Sequence, residues 1–149
     1  MIIVKIKGGL GNQLFQYAAG RFLAERYNVA LKLDLSHIKA DPKGAYTKRE
    51  LELNDFNVVY TEATEEEVKP YTNIASNKYL RVLCRKFPAL YTKTYIAESG
   101  NLFHAKFNSY KDNTYLDGFW QSEKYFSAIR PQLLKELTIR EVLPTAVNA

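Results

Sequence analysis

Apolar and polar positions along the chain change period several times, and each change marks an element. Ile2 to Ile6 is β-branched except at Lys5, which predicts a strand that starts at the beginning of the chain. The glycines of Gly8-Gly9-Leu10-Gly11 stop it. From Asn12 onward Leu14, Ala18 and Phe22, flanked by Phe15, Ala19 and Leu23, recur every four residues and predict a helix to about Tyr27. Gly20 inside this helix costs about 1 kcal/mol relative to alanine, and with Ala18 and Ala19 it forms a small-residue patch that lets a helix lie close to a sheet. Val29 to Leu35 predicts a second strand, so the first third of the chain reads as a strand-helix-strand unit with its two strands as parallel neighbours.

Turn formers dominate Lys39 to Ala45, which is expected to be an exposed loop. Thr64-Glu-Glu-Glu67 has the form of a capping box and predicts a short helix, limited by Pro70. Asn77 is expected to cap a second helix running to about Phe87. Tyr95–Ala97 and Tyr115–Phe119 predict short strands. Ser122 is expected to cap a further helix, and Pro131 to open another that carries Leu133, Leu134 and Leu137. The pattern is that of an α/β fold: a Rossmann-like, mainly parallel sheet with flanking helices.

Composition narrows the class without choosing a function. At 149 residues, 46% hydrophobic and 25% charged, the chain is one globular domain in size and balance. Lys5 and Lys7 interrupt the apolar N-terminus before the core of a signal peptide forms, which predicts a cytoplasmic protein. The single cysteine, Cys84, makes no internal disulfide and is expected to be packed in the core. A net charge of +5, with acids interspersed among the bases, suits a weakly anionic ligand. It lacks the footprint of a nucleic-acid binder. Lys78, Arg81 and Arg85 recur at helical spacing and form either a solvated face or a basic surface toward a membrane or a phosphate-bearing glycolipid.

The candidate chemistry centres on Lys7-Gly-Gly-Leu-Gly-Asn-Gln-Leu14. Glycines between a strand and a helix bring bare backbone amides near a ligand at a helix N-terminus, where negative charge is favoured. Gly9, Gly11, Asn12 and Gln13 are therefore candidates for holding a phosphate or sugar. In the alternative reading the glycines only make the turn and Asn12 only caps the helix. A dinucleotide-binding loop of the NAD type is a rival, with Asp34 at the end of the second strand in place to meet a ribose. Against it, Leu14 stands where a third small residue is wanted for close helix packing.

Ile3 to Ala19, centred on Gly-Gly-Leu-Gly-Asn-Gln-Leu-Phe-Gln-Tyr-Ala, resembles the opening of the bacterial-type alpha-1,2-fucosyltransferases, glycosyltransferase family 11. Tyr115 to Phe126 resembles the family's segment ahead of its donor-binding motif, and Leu51 to Val58, with Leu53 and Phe56, resembles a weaker intermediate block. The resemblance implies a GT-B type enzyme of two facing Rossmann-like domains. It would transfer fucose from GDP-fucose to the 2-hydroxyl of a galactoside-type acceptor with inversion, without metal or other cofactor. Residues 1–149 would be its N-terminal, acceptor-side domain.

The donor motif His-x-Arg-Arg-Gly-Asp-Tyr that the family carries is not found, since neither His37 nor His104 precedes paired arginines. The C-terminal donor-binding domain is thus expected to be absent, the fragment to be inactive alone, and its interdomain surface to favour self-association. The alternative is a non-catalytic remnant acting as a binding or interaction module. Candidate bases are Asp117, Glu98 and Asp34, with a turn or capping acid as the other reading of each. Trp120 and Gln121 are candidates for an acceptor platform, with a Trp packed under the following helix as the other reading.

Overall fold

Five parallel strands form one sheet in the computed structural model, which describes residues 1–40, 48–87, 92–98, 100 and 103–140. They are β1 (Ile2–Lys5), β2 (Leu31–Asp34), β3 (Thr61–Glu62), β4 (Thr94–Ala97) and β5 (Thr114–Asp117). Their order across the sheet is β3-β2-β1-β5-β4. β1 lies at the centre, where Ile2, Ile3 and Val4 are all fully buried. This explains the unbroken apolar run, because a central parallel strand is covered on both faces.

Helix α1 (Leu10–Tyr27) packs on one face through Tyr17, Ala18, Ala19, Leu23 and Ala24. Gly20 sets how near it lies: a Cβ built there would stand 2.2 Å from Val4 Cγ2 and 2.9 Å from Leu31 Cδ1. The small-residue patch is therefore the contact surface with the sheet. Asn28 ends α1 in a left-handed conformation, φ 50°, and its N–H returns to the Glu25 carbonyl. On the other face Ile3, Tyr71 and Tyr115 form a smaller cluster.

The remaining helices are α2 (Ser36–Lys39), α3 (Glu65–Ser76), α4 (Lys78–Lys86) and α5 (Arg130–Glu136). α3 begins with the expected capping box, in which Thr64 and Glu67 bond reciprocally. It runs on through Pro70, contrary to expectation. The missing N–H frees only the carbonyl one turn back, at Glu66, which is exposed to water. Asn77 caps α4 by accepting from the Tyr79 and Leu80 amides. Cys84 corrects the sequence reading: it lies on α4 and is only half-buried, because α4 is a surface helix lying against α3. Ser122 opens a single 3-10 turn, Glu123–Tyr125, in place of a full helix. α5 follows, with Pro131 in its first turn.

α5 is tied to α1 by a buried polar knot. The Tyr17 hydroxyl donates to Glu136 at 2.6 Å, and Arg21 Nε donates to the same carboxylate at 3.0 Å. Most of the loop predicted over 39–45, and the side chain of Arg85, lie outside the described residues.

Candidate functional site

The strand order reverses at β1. From there the chain builds β2 and β3 to one side, crosses to β4 at the far edge, and fills the gap with β5. In open α/β sheets such a switch point leaves a crevice at the carboxyl ends of the two strands, and ligands bind there. Here it falls between the Lys7-Gly8-Gly9 turn after β1 and the Asp117-Gly118 turn after β5. A cleft of about 300 Å³ opens at this point, lined among others by Lys7, Glu98, Asp117, Gly118, Phe119 and Gln121.

The glycine turn is shaped for close approach. Gly8 has φ +80°, and a Cβ there would lie 2.5 Å from Asn12 Nδ2. α1 starts at Leu10, earlier than predicted, with Gly9 as its N-cap, so Asn12 sits in the first turn and caps nothing. No acid stands in that turn. Its amides therefore present the positive end of an 18-residue helix. Gly11 is exposed on the same turn. Asn12 Oδ1 accepts from Gln121 Nε2 at 2.6 Å, which joins a residue assigned to the donor and one assigned to the acceptor in a single rim.

Two expected ligand contacts point inward instead. Gln13 is fully buried, its amide donating to the Gly8 and Glu50 carbonyls and accepting from the Glu52 amide. All its bonding capacity on the ligand side is occupied in holding the glycine turn against the segment around residue 50. Trp120 is also fully buried, among Phe107, Tyr125 and His104. Its ring is a core element and offers no face to a sugar, so the packed reading of Trp120 is the correct one. Among the described residues the indole N–H has no hydrogen-bond partner.

The three candidate carboxylates differ sharply. Asp34 is buried and accepts from the Tyr115 hydroxyl at 2.5 Å and the Ser36 amide at 2.9 Å. It is a buried strand-end clamp, with each oxygen serving a partner inside the chain. Asp117 accepts from Lys7 at 2.7 Å, Tyr95 at 2.7 Å and Lys5 at 3.3 Å. Burial pushes its carboxyl up, but the Lys7 and Tyr95 hydrogen bonds and the two ammonium charges outweigh that, and its pKa lies below the ordinary value. Such a carboxylate is a weak proton acceptor and a good anchor for Lys7. Glu98 is held through Oε2, which accepts from the Phe119 and Trp120 amides at 2.6 and 3.0 Å. Among the described residues Oε1 has no hydrogen bond, and Glu98 lines the cleft.

The Asp117 shift has a consequence for acid stability. A depressed folded value means stability that is present above the unfolded pKa, about 3.9, and lost as pH falls through the folded one. Asp117→Asn is expected to lower stability by about 1 kcal/mol at neutral pH. The two proteins should converge in acid, as pH falls from the unfolded value through the lower folded one. Urea unfolding across a pH series checks this; parallel acid limbs would mean that the Lys7 pair adds nothing net.

Three residues of the site escaped the sequence reading. Gln16, fully buried, accepts from the Lys7 amide at 3.1 Å and donates to the Gly118 carbonyl at 3.1 Å, stapling both switch-point turns to α1. Its signal was present: glutamines at 13 and 16 fall on the inward side of the helix. Tyr95 orients Asp117. Arg49 reaches the glycine turn, where an Nη1 atom would lie 3.7 Å from a Cβ built on Gly9. Nothing in the local pattern around residue 49 announces this, because the approach is tertiary.

A parallel α/β sheet with a donor-rich glycine turn at its switch point leaves a crevice of the kind in which open α/β folds bind ligands. The comparisons with known proteins add two similar chains. The chain is 30% identical over 142 residues to an alpha-1,2-colitosyltransferase of Escherichia coli, covering 93% of this chain and 45% of that protein. It is 31% identical over 157 aligned positions to the O-antigen biosynthesis glycosyltransferase WbnK of Escherichia coli, covering 96% of this chain and 50% of that protein. It is thus a relative of bacterial glycosyltransferases, and it spans about half their length. No known family profile and no solved structure matches it. No helix among the described residues is long and apolar enough to cross a membrane.

Proposed function

We propose that this chain forms one wall of the sugar-nucleotide cleft of an inverting glycosyltransferase, and that the whole enzyme moves fucose from GDP-fucose to the 2-hydroxyl of a galactoside acceptor. The observation that carries the reading is the cleft at the β1–β5 switch point, which Lys7 lines, with the glycine turn that opens α1 beside it and Arg49 close to Gly9 of that turn. All three are donors or cations, as a diphosphate leaving group requires.

In the reaction the acceptor oxygen bonds to the anomeric carbon as the bond to the diphosphate breaks. The acceptor proton passes to a base, and negative charge collects on GDP. Glu98 is the carboxylate of this chain best suited to take that proton, since it lines the cleft while the two amides fix the group through Oε2. Asn12 and Gln121 would orient sugar hydroxyls at the rim. A colitosyl donor is the second reading, favoured by the relative named an alpha-1,2-colitosyltransferase, whose linkage is the one the sequence resemblance implies.

Calorimetric titration with GDP-fucose and with a colitosyl donor tests this, on the chain and on a form extended by its downstream coding sequence. The chain alone is expected to bind weakly and the extended form tightly, with Arg49→Ala weakening binding about 10- to 100-fold. In the extended form Glu98→Gln should bind the donor normally and lose transfer. No binding of either donor by either form would leave the fold and remove the function, making the domain a non-catalytic interaction module.

A further inference from the structure

Helix α4 carries a surface that the cleft does not use. It lies against α3, and its best-covered residues, Leu80 and Cys84, are only half-buried. Large apolar side chains face water instead: Tyr79 is 74% exposed, Val82 45%, Leu83 39%, and Phe87, just past the end, 50%. At 3.6 residues per turn these four fall on one continuous stripe. Lys78 and Arg81 are exposed on one side of it, Lys86 is exposed within it between Val82 and Tyr79, Arg85 adds a further cationic position in the sequence, and the helix contains no acid.

An apolar stripe flanked on one side and interrupted by cations is poorly suited to bulk water. It also fits a protein partner badly, since lysine is depleted from interface cores. It does match the headgroup region of an anionic bilayer, where the apolar side chains enter the acyl boundary while the cations meet lipid phosphates. Tyrosine and phenylalanine suit that depth. A nine-residue helix is far too short to span the membrane, so the contact is flat and peripheral.

We propose that α4 docks this domain on the surface of anionic membranes, with Tyr79, Val82, Leu83 and Phe87 inserted and Lys78, Arg81 and Lys86 at the headgroups. The inference does not depend on the reading of the cleft.

Flotation of the full chain with phosphatidylcholine vesicles, with and without phosphatidylglycerol, tests it. The chain should float with the anionic vesicles only. Binding should fall sharply in about 1 M salt, where the screening length is roughly 3 Å. Lys78→Gln and Arg81→Gln should each reduce partitioning about fivefold, and Val82→Ser with Leu83→Ser should abolish it. All these positions are exposed, so the thermal midpoints of the variants should match that of the parent. Equal binding to neutral and anionic vesicles, or unchanged flotation of the variants, overturns the proposal. So does sedimentation showing that the serine variants dissolve a dimer, because the stripe would then be a protein contact.

Discussion

Trp120→Ala is expected to lower the free energy of unfolding by about 3–5 kcal/mol, the range for emptying a fully buried aromatic site. The indole is wedged among Phe107, Tyr125 and His104, with ring centroids 5.4 to 5.8 Å away. Trp120→Phe should cost much less, roughly 1–2 kcal/mol, because it keeps most of the aromatic packing and removes an N–H that has no partner among the described residues. The backbone supplies a second check. Trp120 has φ 54°, a left-handed conformation that strains a residue with a Cβ by about 1–2 kcal/mol. Trp120→Gly should therefore be no worse than Trp120→Ala, and milder if relief of that strain exceeds glycine's extra entropy. Urea unfolding followed by far-ultraviolet circular dichroism measures all three. A near-neutral Trp120→Ala would return the ring to the surface as a sugar platform.

The second large effect falls on Gln16. One amide group accepts from the Lys7 N–H and donates to the Gly118 carbonyl, so it spans both sides of the switch point from inside the protein. Gln16→Ala leaves both backbone groups without a partner, and the expected loss is about 2–4 kcal/mol. Gln16→Glu separates packing from hydrogen bonding. It keeps the shape and the acceptor toward Lys7, but sets a second oxygen against the Gly118 carbonyl, which should lower stability most at neutral pH and less in acid, where the carboxyl protonates. Gln16→Ala should also weaken any ligand of the cleft, since the turns carrying Lys7 and Phe119 lose their common tether. Stability equal to the parent in both variants would mean that water replaces the amide and that the turns hold themselves.

The α/β class, the first strand-helix-strand unit, its parallel pairing and the glycine turn were all legible in the sequence, because local periodicity and turn chemistry determine them. The role of Gly20 followed from the same logic, since a small-residue patch on a helix has few uses besides close approach. The order of strands was not legible. Nothing local distinguishes β5 beside β1 from β5 at an edge, as that choice rests on which long-range pairs bury the most surface. The site divides in the same way. Asn12 and Gln121 were picked out by residue type, and they do share a rim. Trp120 and Gln13 were picked out by the same criterion and face inward, because side-chain direction depends on a left-handed residue in one case and on carbonyls near residue 50 in the other. Cys84 illustrates the reverse error: a residue type usually buried stands on a surface helix, half-covered only, because α4 packs on α3 and not into the core.

The place of β5 between β1 and β4 also bears on how the protein is made. Lys5 and Asp117, which close the β1–β5 pair, are 112 residues apart. At translation rates of about 5–20 residues per second, the second edge of β1 therefore waits on the order of 5–20 s for its partner. Through that interval Ile2, Ile3 and Val4 form an apolar strand paired on one side at most. The sheet cannot be zipped up progressively from the N-terminus, and its last central strand must be inserted after β4 has been made. High contact order of this kind slows folding and leaves a sticky edge open. A nascent chain halted before residue 114 should therefore be a client of chaperones, whereas one released beyond it can close its own sheet.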